Sequence, residues 1–243
     1  MPKYISIAKA ILRYIQDNEL EADDKLPSIQ VLAEQFDVNK NTIVSALNDL
    51  ERQGVIYQVR GSGVYVRGNN RKGYINLLNL NGFNSILSQF NIDSKVIGFE
   101  LMEANEEIAE NLKFDLSRED EEHRVYRVYR IRYIEGRPFC VEESFYAKAI
   151  IPYLSEDIAS GSIFKYISQD LNIDIGYADH YFRVAQLSQE HAEYLNLKKG
   201  DPSFYLESVM HLTNGKPFDF SKIVYHYQEA QFFVQGTNTQ MGY

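Results

Sequence analysis

The chain has 243 residues, of which 44% are hydrophobic and 13% aromatic, and its formal net charge is −9. This length and apolar content suffice for one large or two modest domains with hydrophobic cores. Cys140 is the only cysteine, which excludes an internal disulfide and a cysteine metal cluster. No signal peptide and no apolar run of membrane-spanning length is present, so the cytoplasm is the expected location.

The charge is divided unevenly along the chain. Residues 1–72 contain ten Lys/Arg and nine Asp/Glu, for a net charge of +1, whereas residues 73–243 contain fifteen and twenty-five, for a net charge of −10. A strongly acidic segment is repelled by nucleic acid phosphates. Any nucleic-acid contact is therefore expected in the first segment alone.

Two short amphipathic helices are predicted within residues 26–50, separated by a tight turn at Asp37. Pro27 blocks helical continuation from upstream, and Ser28 can cap the first helix. Val31, Leu32 and Phe36 recur at helical spacing and predict its apolar face. Either Asn39 or Asn41 can cap the second. The second helix has apolar residues at positions i, i+3, i+4 and i+7, which predict a buried stripe: Ile43, Ala46, Leu47 and Leu50.

The opposite stripe of the second helix is suited to DNA. It carries amides, a hydroxyl and one small apolar group, which match base edges in a major groove; its residues are Asn41, Val44, Ser45 and Asn48. Lys40 at the amino-terminal end suits a phosphate. An ordinary helical hairpin with a solvated polar face is the alternative, but a β-hairpin follows whose tip, Arg60-Gly61-Ser62-Gly63, combines charge with glycine backbone freedom.

Together, these motifs resemble the winged helix-turn-helix of GntR-type bacterial transcription regulators, from about Lys3 to Arg67. The reading of the outward helix face and the resemblance together predict a DNA-binding set of eleven residues: Ser28, Asn39, Lys40, Asn41, Thr42, Val44, Ser45, Arg60, Gly61, Ser62 and Gly63. The family usually has arginine at the positions of Gln30 and Val44. This departure predicts an operator that differs from the commonest ones in the family.

A polar, glycine-flanked stretch is interpreted as a linker at 69–76, between a first domain at 1–68 and a second at 77–243. In the second domain, GRPFCVEESFY at 136–146 echoes GKPFDFSKIVY at 215–225, and an Ala-Glu-x-Leu helix end precedes each copy. This internal repeat predicts two similar halves that pair into one antiparallel sheet with helices outside.

The second domain resembles the UTRA effector-binding domain of the HutC branch of the GntR family, whose fold is similar to chorismate lyase. The predicted fold class is therefore α+β, with a winged helix-turn-helix followed by an antiparallel-sheet domain. The resemblance implies a small-molecule sensor, most often for a sugar phosphate, an amino acid derivative or a related metabolite.

Arg130 and Arg132 are two residues apart on a predicted strand, so their side chains share one face and can hold a phosphate or carboxylate. A solvated or salt-bridged strand face is the alternative. At family-matching positions, five further residues are predicted to bind the effector: Ser85, Glu142, Ser162, Asp219 and Tyr225. The two serines can instead be helix caps, Glu142 a sheet-edge carboxylate, and Tyr225 a half-buried core aromatic.

The sequence thus predicts a cytoplasmic homodimeric repressor that leaves an inverted-repeat DNA operator when a small anionic metabolite binds, with no cofactor, metal or membrane partner. Two alternatives are kept. An enzyme related to chorismate lyase is disfavoured because the five histidines lack metal-ligand spacing and no phosphate-cradling loop occurs. A nucleic-acid-binding protein without a ligand is the other.

Overall fold

The computed structural model describes residues 3–67, 74–76, 91–117 and 123–234. These residues divide into two compact units, of which the second spans Ile75–Phe232 and the first holds the others. The predicted linker at 69–76 is described only at 74–76, where the chain forms a short strand. The domain extents 1–68 and 77–243 stay predictions.

The first unit is a three-helix bundle with a two-stranded wing. It consists of α1 (Lys3–Asp17), α2 (Ile29–Gln35), α3 (Lys40–Arg52), and the antiparallel pair β1 (Ile56–Val59) and β2 (Gly63–Val66). The predicted stripe of α3 lies in the core and is fully buried. It packs with Ile11 of α1, Leu32 of α2 and Ile56 of β1.

The turns and caps of this unit follow the sequence closely. Ser28 Oγ accepts a hydrogen bond from the Val31 amide at 3.3 Å, and Asn39 Oδ1 accepts one from the Thr42 amide at 2.8 Å. Asn39, rather than Asn41, is therefore the cap of α3. Asp37 has a φ of +49° in the turn. Val31, which was expected on the apolar face of α2, is instead 48% exposed.

The segment before α2 is bonded to the wing. Asp23 and Leu26 donate backbone hydrogen bonds to Val66 and Val64, and Val66 donates one to Asp24. Lys25 forms an isolated antiparallel bridge with Tyr65. The start of α2 and the second wing strand are thus held together by a short ladder.

The second unit is built on a six-stranded antiparallel sheet. Its strands are β4 (Ile92–Glu103), β5 (Arg124–Ile134), β6 (Arg137–Ala147), β7 (Ile175–Gln186), β8 (Pro202–Leu212) and β9 (Pro217–His226). Their spatial order is β4-β5-β6-β9-β8-β7. A separate two-stranded sheet pairs β3 (Tyr74–Asn76) with β10 (Gln231–Phe233).

The sheet order shows the predicted duplication. Each half is a strand, a helix and a hairpin, with α4 (Glu106–Leu112) in the first half and α7 (Gln189–Tyr194) in the second. The hairpin turns contain Gly136 and Gly215, whose φ values of +74° and +83° favour glycine. The halves meet where β6 pairs with β9, and Ser144 lies opposite Ser221 there.

The two faces of the sheet are covered differently. On one face, α4 and α7 pack through Ile108, Leu112, Ala192 and Leu195. On the other, α5 (Glu156–Ser160) and α6 (Ile163–Lys165) cover the apolar side chains, and a π-helical segment, Tyr166–Asp170, continues from α6. Among the described residues, no helix is long and apolar enough to cross a membrane.

Candidate functional site

One surface of the first unit gathers the residues predicted to touch DNA. Lys40 begins α3, and the outward stripe predicted for this helix is exposed, with Val44 at 38%. Asn39 and Thr42 are engaged locally, because Asn39 Oδ1 accepts from both the amide and the hydroxyl of Thr42, at 2.8 and 2.9 Å. Their hydrogen bonds cap the N-terminus of α3, where Lys40 is the first residue.

The wing tip and the start of α2 form one open groove of 600 Å³. It is lined by Lys25–Gln30 and by the wing from Gln58 to Val64, so that Ser28 and Arg60 lie on the same depression. The tip requires glycine. Gly61 and Gly63 have φ values of +80° and +145°, which residues with a Cβ rarely adopt. Ser62 is held by a 2.6 Å hydrogen bond between its hydroxyl and that of Tyr65.

In the second unit, Arg130 and Arg132 share one carboxylate. Arg130 Nη2 and Arg132 Nε donate to the same oxygen, Glu142 Oε2, at 2.9 and 2.8 Å. Arg130 is fully buried and Arg132 is 4% exposed. The described residues show the salt bridge named as the alternative to an anion site, and it is buried rather than solvated; anion binding by these arginines stays a prediction.

Further donors of the two guanidinium groups also have partners. Arg130 Nη1 donates to the Ala159 carbonyl at the end of α5, at 2.8 Å, and Arg132 Nη1 donates to Ser94 Oγ on β4, at 3.0 Å. Within the described part of the chain, Nε of Arg130 is buried without a hydrogen-bond partner. A buried donor of this kind is costly unless it is satisfied.

A chain of hydroxyl groups connects Glu142 to Asp219 across the junction of the two halves. Ser144 Oγ lies 3.3 Å from Glu142 Oε1, and Ser221 Oγ lies 2.8 Å from Ser144 Oγ and 2.7 Å from Asp219 Oδ1. A hydroxyl has a single proton to donate. If Asp219 is protonated, it donates to Ser221, Ser221 donates to Ser144, and Ser144 donates to Glu142.

The electrostatics agree with this order. Burial raises the pKa of Asp219 to about 8, although a hydrogen bond donated by Ser221 to the ionised carboxylate acts in the opposite direction. Burial also opposes ionisation of Glu142, but the charges of Arg130 and Arg132 outweigh it and lower the pKa of Glu142 to about 2. At neutral pH the cluster thus contains two cations, one anion and a neutral acid.

The other predicted effector residues lie in different surroundings. Tyr225 is 4% exposed in an aromatic cluster, with ring centroids 5.7 Å from Phe139 and 4.7 Å from Phe232. Ser162 is half-buried and caps α6, because its hydroxyl accepts from the Lys165 amide at 3.3 Å. Ser85 lies outside the described residues.

Sequence reasoning missed the connecting hydroxyls Ser144 and Ser221. The repeat alone contained a signal for Ser221, because aligning the two copies places it at the position of Glu142 in the first copy. The contact between Arg130 and the Ala159 carbonyl had no signal in the sequence, since it depends on how α5 packs on the sheet.

Comparisons with known proteins agree with both units. A family model described as the UTRA domain matches residues 88–231, and one described as bacterial regulatory proteins of the gntR family matches residues 3–66. YydK of Bacillus subtilis (strain 168), an uncharacterized HTH-type transcriptional regulator, is 48% identical over 238 residues, which cover 98% of this chain and 99% of YydK. The crystal structure of YydK matches with a TM-score of 0.81 and 47% identity, covering 98% of this chain and 100% of that one.

Two more distant relatives are described as repressors. The mannosyl-D-glycerate transport/metabolism system repressor MngR of Escherichia coli (strain K12) is 27% identical over 95% of this chain and 94% of MngR. The HTH-type transcriptional repressor NagR of Bacillus subtilis (strain 168) is 26% identical over 93% of this chain and 90% of NagR. The fold, the family models and the full-length relatives lead to one conclusion: the chain belongs to the GntR family of bacterial transcription regulators and carries a UTRA domain after its winged helix-turn-helix.

Proposed function

We propose that this regulator is a repressor that releases its operator when a small anionic metabolite, such as a sugar phosphate, binds the UTRA domain. The observation that supports this most directly is the charge of the buried cluster. Arg130 and Arg132 contribute two positive charges and Glu142 one negative charge, and Asp219 is neutral below about pH 8. A net positive charge in a buried site is costly, and an anion that enters the site offsets it.

The chemistry of the donors supports a phosphate or carboxylate ligand. Guanidinium groups present planar donor pairs that match these anions, and burial strengthens the attraction. Among the relatives, MngR is named for mannosyl-D-glycerate, which is a sugar that carries a carboxylate. An anionic carbohydrate therefore suits both the cluster and the compound for which MngR is named.

The exposed edge of the sheet supports the proposal of a homodimer. β7 is at one end of the strand order and exposes four large apolar side chains: Tyr177, Tyr181, Phe182 and Val184. A long apolar edge strand of this kind favours pairing with another chain. We infer that its partner is β7 of a second copy.

The residues of β7 fit an antiparallel pairing with themselves. If Tyr181 lies opposite Tyr181 of the second copy, each Asp179 faces an Arg183, and both lie on the same side of the sheet. Both side chains are exposed, and the ion pairs described for them are long, 4.0 Å from Asp179 to His211 and 3.7 Å from Arg183 to Glu207, while the Arg183 guanidinium also lies over the Tyr205 ring. The pairing is twofold symmetric, as an inverted-repeat operator requires.

Release then follows from ligand binding to one of two dimer conformations. A ligand shifts such an equilibrium only if it binds one conformation better. The same coupling requires that operator DNA weakens ligand binding by the same factor.

The first prediction concerns DNA. Lys40→Ala and Arg60→Ala are each expected to weaken operator binding and to lower the slope of log K against log salt concentration by about 0.9 for each lost phosphate contact. The measurement is a salt titration on an operator selected from random DNA. Lys9→Ala, an exposed lysine on α1, is the matched control and is expected to keep the wild-type slope. Unchanged slopes for both test variants would show that these cations do not contact the DNA backbone.

The second prediction concerns the ligand. Hexose 6-phosphates are expected to raise the melting temperature and to release operator DNA, whereas the parent hexoses are not. Arg132→Lys keeps the charge but loses the planar fork, so it is expected to weaken hexose phosphate binding roughly tenfold to a hundredfold. Arg137→Lys, in which the arginine is exposed, is the control. Equal affinities of the wild type and Arg132→Lys for hexose phosphate would show that Arg132 does not contact the ligand.

The third prediction concerns pH. The pKa of Asp219 is about 8 in the folded protein, against about 3.9 in an unfolded chain. Between these values only the folded state keeps the proton, so the free energy of unfolding falls as pH rises, by at most about 1.4 kcal/mol per pH unit. Asp219→Asn is expected to remove this slope between pH 5 and 8, measured by hydrogen exchange of the β6 and β9 amides. The exposed Asp174→Asn should keep it; a slope that persists in Asp219→Asn would show that another group titrates.

The fourth prediction concerns the dimer. Asp179→Arg places two arginines opposite each other at both ends of the proposed pairing, so it is expected to shift the protein toward monomer in sedimentation velocity. Adding Arg183→Asp restores opposite charges and is expected to restore the dimer. Asp174→Arg, just before β7, is the control. A dimer that persists in Asp179→Arg would place the interface elsewhere, and a wild-type monomer would contradict the homodimer itself.

A further inference from the structure

A chain of three side chains joins the recognition helix α3 to the wing strand β1. Gln58 on β1 donates its amide nitrogen to Glu51 Oε2 at 2.9 Å and to Asn48 Oδ1 at 3.1 Å. The backbone amide of Gln58 donates to the other carboxylate oxygen, Glu51 Oε1, at 2.9 Å. Glu51 is therefore held at both oxygens by a single residue.

These hydrogen bonds fix which way the side-chain amide of Asn48 points. An ionised carboxylate only accepts hydrogen bonds, so the side chain of Gln58 must present its NH₂ group to Glu51. The same NH₂ group also faces Asn48, so Asn48 must present its oxygen to Gln58. The NH₂ group of Asn48 is then directed away from Gln58. The orientation follows from donor and acceptor chemistry and does not depend on which atom is labelled nitrogen.

Asn48 lies on the outward stripe of α3, at i+7 from Asn41 and i+4 from Val44, and it is exposed. With its oxygen turned toward Gln58, Asn48 directs its N–H donors away from the wing strand. An unconstrained asparagine pairs with adenine through both its oxygen and its NH₂ group, at N6 and N7. An asparagine that presents its NH₂ group instead matches acceptors in the major groove, which are O6 and N7 of guanine, O4 of thymine and N7 of adenine, and guanine is the base that presents two of them.

We propose that Asn48 is a further specificity-determining residue of this regulator and reads an acceptor base edge, guanine in the first place, with Gln58 and Glu51 as positioning residues that fix its polarity. The inference rests on the DNA binding proposed above. The sequence analysis placed Asn48 on the stripe suited to base edges, and the inference adds which way its amide points and which base it prefers.

The first test reverses the direction of the hydrogen bonds among residues 48, 51 and 58 without changing their total charge. In the double variant Glu51→Gln/Gln58→Glu, residue 51 can still accept from the backbone amide of residue 58, but its NH₂ group now donates to the new carboxylate. The carboxylate at residue 58 then accepts from the NH₂ group of Asn48, whose oxygen turns toward DNA. Operators are selected from random DNA for both proteins, and each base pair is then varied in binding measurements.

We expect wild type and double variant to select motifs that differ at one base pair in each half-site, from guanine to a donor base, cytosine or adenine. Each protein should prefer its own base there by roughly threefold to tenfold, the discrimination that one hydrogen bond provides. If the three residues only stabilise the structure, the double variant should bind every site more weakly and select the same bases as the wild type. The same base at every position in both motifs would overturn the proposal.

Asn48→Asp is the second variant, in case the double variant fails to fold. It keeps the side-chain shape and can still accept from Gln58, but it has no donor, so its preference at that base pair is expected to disappear. An unchanged preference there overturns the proposal. Gln189→Glu/Glu193→Gln reverses a comparable Gln–Glu hydrogen bond of 2.8 Å in α7 and should select the wild-type motif. Failure of the wild type to select any sequence would instead contradict the proposed function.

Discussion

The UTRA domain is organised around a single carboxylate. Glu142 lies on β6 next to the junction with β9, and it holds Arg130 and Arg132 in place through one oxygen while its other oxygen meets the serine chain. Breaking a buried pair of this kind typically costs about 3–5 kcal/mol, because the partner charges are left uncompensated. Glu142 therefore positions both arginines and neutralises one of their two positive charges, which leaves one for a ligand.

The internal duplication makes the asymmetry of this cluster visible. In the first half, Arg132 pairs with Cys140 and Arg130 pairs with Glu142, whereas the matching pairs of the second half are Met210 with Asp219 and Ser208 with Ser221. Both cations thus come from one half. The second half contributes a neutral acid, Asp219, and one hydroxyl group, Ser221, so the two copies of one motif supply different groups to one polar cluster.

The sequence predicted what depends on local periodicity and turn chemistry. The stripe of α3, the cap at Ser28, the wing glycines and the repeat all depend on residues close in sequence, and the structure contains each of them. The sequence could not predict contacts between elements that are far apart along the chain. Glu142 was predicted as a ligand or a sheet-edge residue, but its role as the shared partner of both arginines depends on strand register. Similarly, Val31 was expected inside because its spacing fits a helix, yet the short α2 buries Leu32 and Ala33 instead.

The ladder between the segment before α2 and the second wing strand has a consequence for how such regulators diverge. Because Leu26 and Val64 share a backbone hydrogen bond and Lys25 bridges to Tyr65, the start of α2 and the wing strand form one rigid piece, while the exposed stripe of α3 contributes no backbone to it. Because this ladder consists of backbone atoms, substitutions at Val44 or Ser45 on the exposed stripe of α3 leave it in place. For the operator binding proposed above, new base preferences can therefore arise at these positions while the wing strand stays bonded to the segment before α2.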